Sequence, residues 1–368
     1  MKISTIEQAA IIFPSFQNLD FLFELFVFLE EHITKFIDIE FYIAFFGIFL
    51  TIFHVFILTR KSVMMSSISS IMIGIGICDI ISMVLAISVR HMIYNFKRDE
   101  CTPPLTLFTY RLFWVLMHSR DAAIRCSTWL GVLMALIRFL ALRFVSRPSF
   151  QKISQISFGF HATATCFVVS SIMSFVNSMR TKIIEIGVWK PGESCLQKPL
   201  ETFMLHELRV SDAFSANNGI ILRIVTFVNG ISSRIFPCII LPILTILLIL
   251  EIRRTRVKMT SFSSFSVRKR TERTTGLVIL MAVTFFVASL PAGIFTLFQV
   301  IYTDIGFVHL STFVDHFCNA ILTLNASMHC LICFTMSSDY RKRVLNILRI
   351  RKKEMSTVNS VFSFFFDF

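Results

Sequence analysis

Seven stretches of this chain are apolar for long enough to cross a hydrocarbon layer of about 30 Å, and short polar segments separate them. They run from about Phe41 to Thr59, Ile68 to Val89, Leu112 to Arg143, Ile153 to Asn177, Ile224 to Leu250, Gly276 to Ile301 and His309 to Met336. Ahead of them, the apolar run Phe21–Leu29 is broken by Glu24 and is too short to span. Residues 1–40 therefore read as an acidic tail with a membrane-grazing helix, and they lack the basic start and small-residue cleavage site of a signal peptide. Pro103-Pro104 breaks the chain between the second and third spans. After the seventh span, Val344, Leu345, Ile347 and Leu348 fall among Arg341, Lys342, Arg343 and Arg349, the pattern of a short amphipathic eighth helix lying on a membrane surface. The expected architecture is an all-α membrane protein: a tail over 1–40, a seven-transmembrane helix bundle over 41–336, and an amphipathic helix and tail over 337–368.

Composition agrees with this reading. Fifty-five per cent of residues are hydrophobic and 16% charged, where a soluble domain usually has about a quarter charged. Forty-two phenylalanines against 12 glycines exclude a disordered or fibrous chain. The net charge of +13 would suit a nucleic-acid partner if it formed one patch, but its distribution points elsewhere. Basic residues collect after the first span (Arg60, Lys61), the third (Arg143, Arg147, Lys152), the fifth (Arg253 to Arg273) and the seventh, whereas the tail holds Glu7, Asp20, Glu24, Glu30, Glu31, Asp38 and Glu40. That asymmetry is the positive-inside bias and orients the N-terminus outside.

Of nine cysteines, only Cys101 and Cys195 fall in outer loops, the oxidising side, and they are the natural disulfide pair. No metal-ligand spacing, nucleophile elbow or phosphate-binding glycine loop is present, so neither a cofactor nor an enzymatic activity is expected.

Ionisable groups at membrane depth are costly and mark functional positions by default. Asp79 lies mid-span in the second helix, and Arg120, Asp121, Arg125 and Arg138 lie on the third. Arg234 is on the fifth, and Asp315 and His316 are near the start of the seventh. Asp121 and Arg125 are four apart, neighbours on one helical face, and are expected to satisfy each other. Arg120 points about 100° away from Asp121 and needs another partner, either Asp315 or a ligand. His54 and His161 read as packing residues, and Arg138 by itself could simply snorkel.

Three segments carry a family resemblance. They are Ile57-Leu58-Thr59-Arg60-Lys61-Ser62 through Ile77-Cys78-Asp79, then Ser127-Thr128-Trp129-Leu130-Gly131-Val132-Leu133-Met134-Ala135-Leu136-Ile137-Arg138, then Leu324-Asn325-Ala326-Ser327-Met328-His329-Cys330-Leu331-Ile332-Cys333 through Tyr340-Arg341. In this order and at these depths the chain resembles rhodopsin-type G-protein-coupled receptors. More narrowly, it resembles the nematode serpentine receptors of class W, related to FMRFamide and myosuppressin receptors.

The resemblance implies a role for each matching position. Asp79 would help hold a sodium ion or water network, and Arg138 would meet the G protein. Pro291 would kink the sixth helix above Phe285, Pro242 matches the fifth-helix proline, and Asn325 opens the seventh-helix motif. It also places Arg120, Asp121, Arg125, Arg234, Asp315 and His316 at the level of the family's ligand pocket. The implied partners are an extracellular peptide or small-molecule ligand, a heterotrimeric G protein and membrane lipid, in the plasma membrane.

The chain departs from the family at Thr51, Ile137, Ser289, His329 and Cys333, where an asparagine, an acidic residue, a tryptophan, an asparagine and a tyrosine are usual. An ion-coupled transporter or ligand-gated channel is the rival class. The lack of an internal repeat counts against it.

Overall fold

The computed structural model describes residues 6–16, 19–60, 66–96, 101, 103–144, 152–189, 203–259, 265–302, 304–336 and 340–347. Seven helical segments among them are long and apolar enough to cross a membrane. In chain order, α1 is Ile6–Ile12, α2 Asp20–Leu58, α3 Ser67–Phe96, α4 Leu107–Arg143 and α5 Ile156–Ser178. Strands β1 (Thr181–Val188) and β2 (Met204–Val210) follow, then α6 (Asp212–Gly230), a π turn (Ile231–Ile235), α7 (Phe236–Met259), α8 (Phe265–Ile301) and α9 (Ile305–Met336). Helix α2 is the first span, and α3, α4 and α5 are the next three. The fifth is α6, the π turn and α7 in continuity, while α8 and α9 supply the sixth and seventh. The first span packs on the second and seventh, the third on the second, fourth and fifth, and the sixth on the fifth and seventh.

The first span begins well before the position the sequence suggests. Helix α2 has 39 residues, or about 58 Å at 1.5 Å per residue, so its N-terminal half runs on past a hydrocarbon core. Glu24, Glu30 and Glu31 therefore do not break it, and Glu40, assigned to the tail, is buried inside the bundle. The short α1 and the residues after it pack on the start of the seventh helix. Phe13 is fully buried against Phe26 and Phe307, and Ser15 bonds Asp304 through both its backbone N–H and its hydroxyl.

A second unanticipated element lies between the fourth and fifth spans. β1 and β2 pair antiparallel from Thr181↔Val210 to Val188↔Met204, with a bulge between Glu185 and Gly187. The chain then enters the fifth span through Asn217, Asn218 and Gly219, all at positive φ. Asparagine and glycine tolerate that region because a short polar side chain, or none, avoids the Cβ clash. At the other end of the bundle, the fourth helix approaches the second so closely that a Cβ on Gly159 would meet Ser70 and the Ser67 carbonyl. Glycine is required there.

The π turn ends just before a proline. Within it the Phe236 N–H bonds the Ile231 carbonyl, so the Ser232 carbonyl falls to residue 237, a proline with no N–H. The indole N–H of Trp129 on the third helix donates to that carbonyl at 3.0 Å. Beyond the seventh helix, residues 340–347 are helical, and Tyr340 and Val344 are buried against Ile57, Leu58 and Ile73.

Candidate functional site

The membrane-depth charges fall in two tiers. In the tier nearer the hairpin, Arg120 is almost fully buried and ion-paired with Glu40, and Thr323 donates to the same carboxylate at 2.9 Å. Its partner is thus neither Asp315 nor an unfilled position. The first helix supplies the counter-charge, from a residue that the tail assignment had removed from consideration.

Arg125 is also satisfied differently from expectation. Its Nε donates to Ser233 Oγ at 2.6 Å, its Nη1 to the Ser170 carbonyl and Ser174 Oγ at 3.0 Å each, and its Nη2 to Asn229 Oδ1 at 2.7 Å. One guanidinium therefore ties the third helix to the fourth and fifth through its planar set of donors. Ser170/Ser174 and Asn229/Ser233 are both spaced four apart, so each pair lies on one helical face. That spacing is the sequence signal for a partner to Arg125, and it was missed because none of these residues is charged.

Among the described residues Asp121 makes no hydrogen bond or ion pair. It stands within electrostatic reach of His118, Arg125 and Arg180. Arg234 meets Asp315 across the bundle at 3.4 Å, an ion-pair contact looser than a normal hydrogen bond. Its Nη1 is buried without a partner among the described residues, as are Arg120 Nε and His316 Nδ1. Arg180, just past the fourth helix, bonds Thr226 at 2.9 Å. Burial lowers its pKa from the usual guanidinium value.

In the second tier, Asp79 is buried and holds two side chains. Ser127 donates to its Oδ1 at 2.6 Å, and His329 Nδ1 lies 3.0 Å from its Oδ2. Asn325 Oδ1 accepts from Thr284 of the sixth helix at 3.1 Å. Asp79, Ser127, Arg138, Phe285, Asn325 and His329 all line one cavity of about 130 Å³ between the second, third, fifth, sixth and seventh spans. Four of the five residues assigned to activation thus share a cavity. The fifth, Pro291, lies within α8 but not on the cavity wall.

Arg138 has no hydrogen-bond partner among the described residues. With Ile137 in place of an acidic neighbour, its charge is left toward the cavity. His54 is not simple packing: its Nδ1 is 2.9 Å from the Tyr340 hydroxyl, joining the first span to residues 340–347. His161 is exposed and, among the described residues, bonds the Ser157 carbonyl of its own helix.

Seven cysteines of the spans are free, and Cys101 is disulfide-bonded. Cys195 lies outside the described residues, as does the basic stretch from Arg349 onward.

Comparison with known proteins agrees with this layout. A G-protein coupled receptor of Caenorhabditis elegans, dmsr-1, is 22% identical over 208 residues, 55% of this chain and 39% of that protein. The chain therefore spans well under two thirds of the length of this curated relative. The family model of the serpentine type 7TM GPCR chemoreceptor Srw matches residues 38–351, from just before Glu40 to just past the helical residues 340–347. The chain belongs to that family, the serpentine type 7TM GPCR chemoreceptors Srw.

Proposed function

We propose that this receptor sits in the plasma membrane with the N-terminal tail and the β-hairpin outside. In this reading it binds an extracellular peptide or small molecule bearing an anionic or strongly hydrogen-bond-accepting group, and it signals through a heterotrimeric G protein. The observation that carries the ligand chemistry is a charge imbalance. Among the described residues, the guanidiniums of Arg120, Arg125, Arg180 and Arg234 interact with three carboxylates, those of Glu40, Asp121 and Asp315. Arg120 is held by its buried ion pair with Glu40 and Arg125 by four short contacts on the fourth and fifth spans, whereas the one ion-pair contact of Arg234 is loose at 3.4 Å. Arg234 is therefore the cation most available to an incoming acceptor, with Asp121, Asp315 and His316 around it.

Ligand binding would favour a conformer that exposes the cavity around Arg138 to the G protein, a shift between existing populations. The division into outer tail, bundle over 41–336 and inner tail belongs to the same reading, as does a Cys101–Cys195 disulfide holding the hairpin to the third helix. The basic residues from Arg253 to Arg273 and from Arg341 onward would lie against the anionic inner leaflet.

The test is G-protein activation in transfected cells, screened against an amidated-peptide library and a small-molecule panel. Once a ligand is found, Arg234→Gln should raise its half-maximal concentration about tenfold or more, the worth of one charge-assisted hydrogen bond. Unchanged potency in Arg234→Gln would remove the assigned ligand chemistry. Ion flux in proteoliposomes with no G-protein response would replace the receptor reading by the transporter or channel.

A further inference from the structure

The family resemblance gives Asp79 a share in holding a sodium ion, and the residues around it do not fit one. Hard cations take several oxygen ligands, while imidazole suits transition metals. Here Oδ1 of Asp79 accepts from Ser127, and Oδ2 faces the imidazole of His329 at 3.0 Å. A carboxylate can only accept, so Nδ1 must carry its proton, and that N–H directs positive charge into the space a cation would need.

Several other side-chain oxygens nearby are already engaged in hydrogen bonds within the protein. Asn325 Oδ1 accepts from Thr284, Ser327 Oγ donates to the Thr323 carbonyl, and Ser82 Oγ donates to the backbone of its own helix. Ala326, also on the cavity wall, offers no side-chain oxygen.

We infer that His329 stands in for the cation. The second, third and seventh spans are joined at this level by the hydrogen-bond chain Ser127–Asp79–His329, built entirely from protein, and the receptor's conformational equilibrium is indifferent to sodium. This inference does not depend on the ligand reading, because it concerns the unliganded bundle and is tested without an agonist.

The test uses the purified full-length receptor in detergent, with its thermal midpoint measured in sodium chloride and in choline chloride of equal ionic strength. The wild type should melt at the same temperature in both, within about 1 °C. His329→Asn removes the ring and supplies an amide oxygen. It should create a sodium-specific rise of about 2–4 °C by mass action on the folded state, and adding Asp79→Asn should abolish that rise.

A sodium-specific rise in the wild type overturns the inference, and this comparison needs no variant to fold. A folded His329→Asn receptor that gains nothing from sodium also overturns it, because the imidazole would then not be what keeps the ion out.

Discussion

Glu40 and Arg120 form a buried ion pair between the first and third helices, and Thr323 of the seventh closes on the same carboxylate oxygen. Both charges have lost their hydration, so each depends on the other. Removing one alone strands the second, at a cost of about 3–5 kcal/mol. Glu40→Gln and Arg120→Gln should each lower the thermal midpoint and the surface expression, and the double variant should recover much of the loss. Equal damage in the double and single variants would mean that the pair does not act as a unit. Arg120→Gln also separates two roles. A direct ligand contact predicts lost potency with normal expression, whereas the structure implies that expression falls first.

Arg125 and Asp121 should behave oppositely despite lying one turn apart. Arg125→Ala removes four hydrogen bonds that tie the third helix to the fourth and fifth, a loss of more than about 3 kcal/mol. Asp121→Asn breaks no hydrogen bond among the described residues, so its effect on stability should stay within about 1 kcal/mol, with any change confined to ligand response. Fluorescence-detected gel filtration after a heating series distinguishes them. Comparable losses would show that the two residues do satisfy each other.

How much of this was legible in the sequence depends on what carried the signal. Spans two to seven were legible because hydrophobic length is local, and Asp79, Arg138, Phe285 and Asn325 because their segments match a known pattern. The partners of the charges were not. Glu40 sits where polar residues thin into an apolar run, and only the third helix, 80 positions along the chain, shows that a carboxylate is needed there. Ser170, Ser174, Asn229 and Ser233 look like tolerated polar residues until one guanidinium is seen to reach all four. The β-hairpin alternates weakly, and its pairing falls in a stretch too short for periodicity to separate from loop.

Tyr340 should report on the junction between the first helix and residues 340–347. Tyr340→Phe removes the bond to His54 with the ring retained, a loss of about 1 kcal/mol. Burial pushes the Tyr340 phenol above the usual tyrosine range. The folded state thus favours the neutral hydroxyl, whose stabilisation is complete below the ordinary tyrosine value of about 10 and declines only as pH rises beyond it. Thermal midpoints of wild type and Tyr340→Phe should differ by a constant amount from neutral to mildly basic pH and converge at strongly basic pH. A gap that opens or closes near neutrality would implicate His54 as the titrating partner.

The wrinkle at Ile231–Ile235 makes the fifth helix adjustable in rotation. A π turn stores one residue more than the regular coil needs, and passing that surplus along by one position swivels the residue it crosses by about 100° while both ends of the span stay where they are. Ser233 and Arg234 lie on the wrinkle and Asn229 just before it. The clasp on Arg125 and the reach of Arg234 toward Asp315 are therefore set by the same stored residue, and the Trp129 indole, latched to the Ser232 carbonyl, holds it in place.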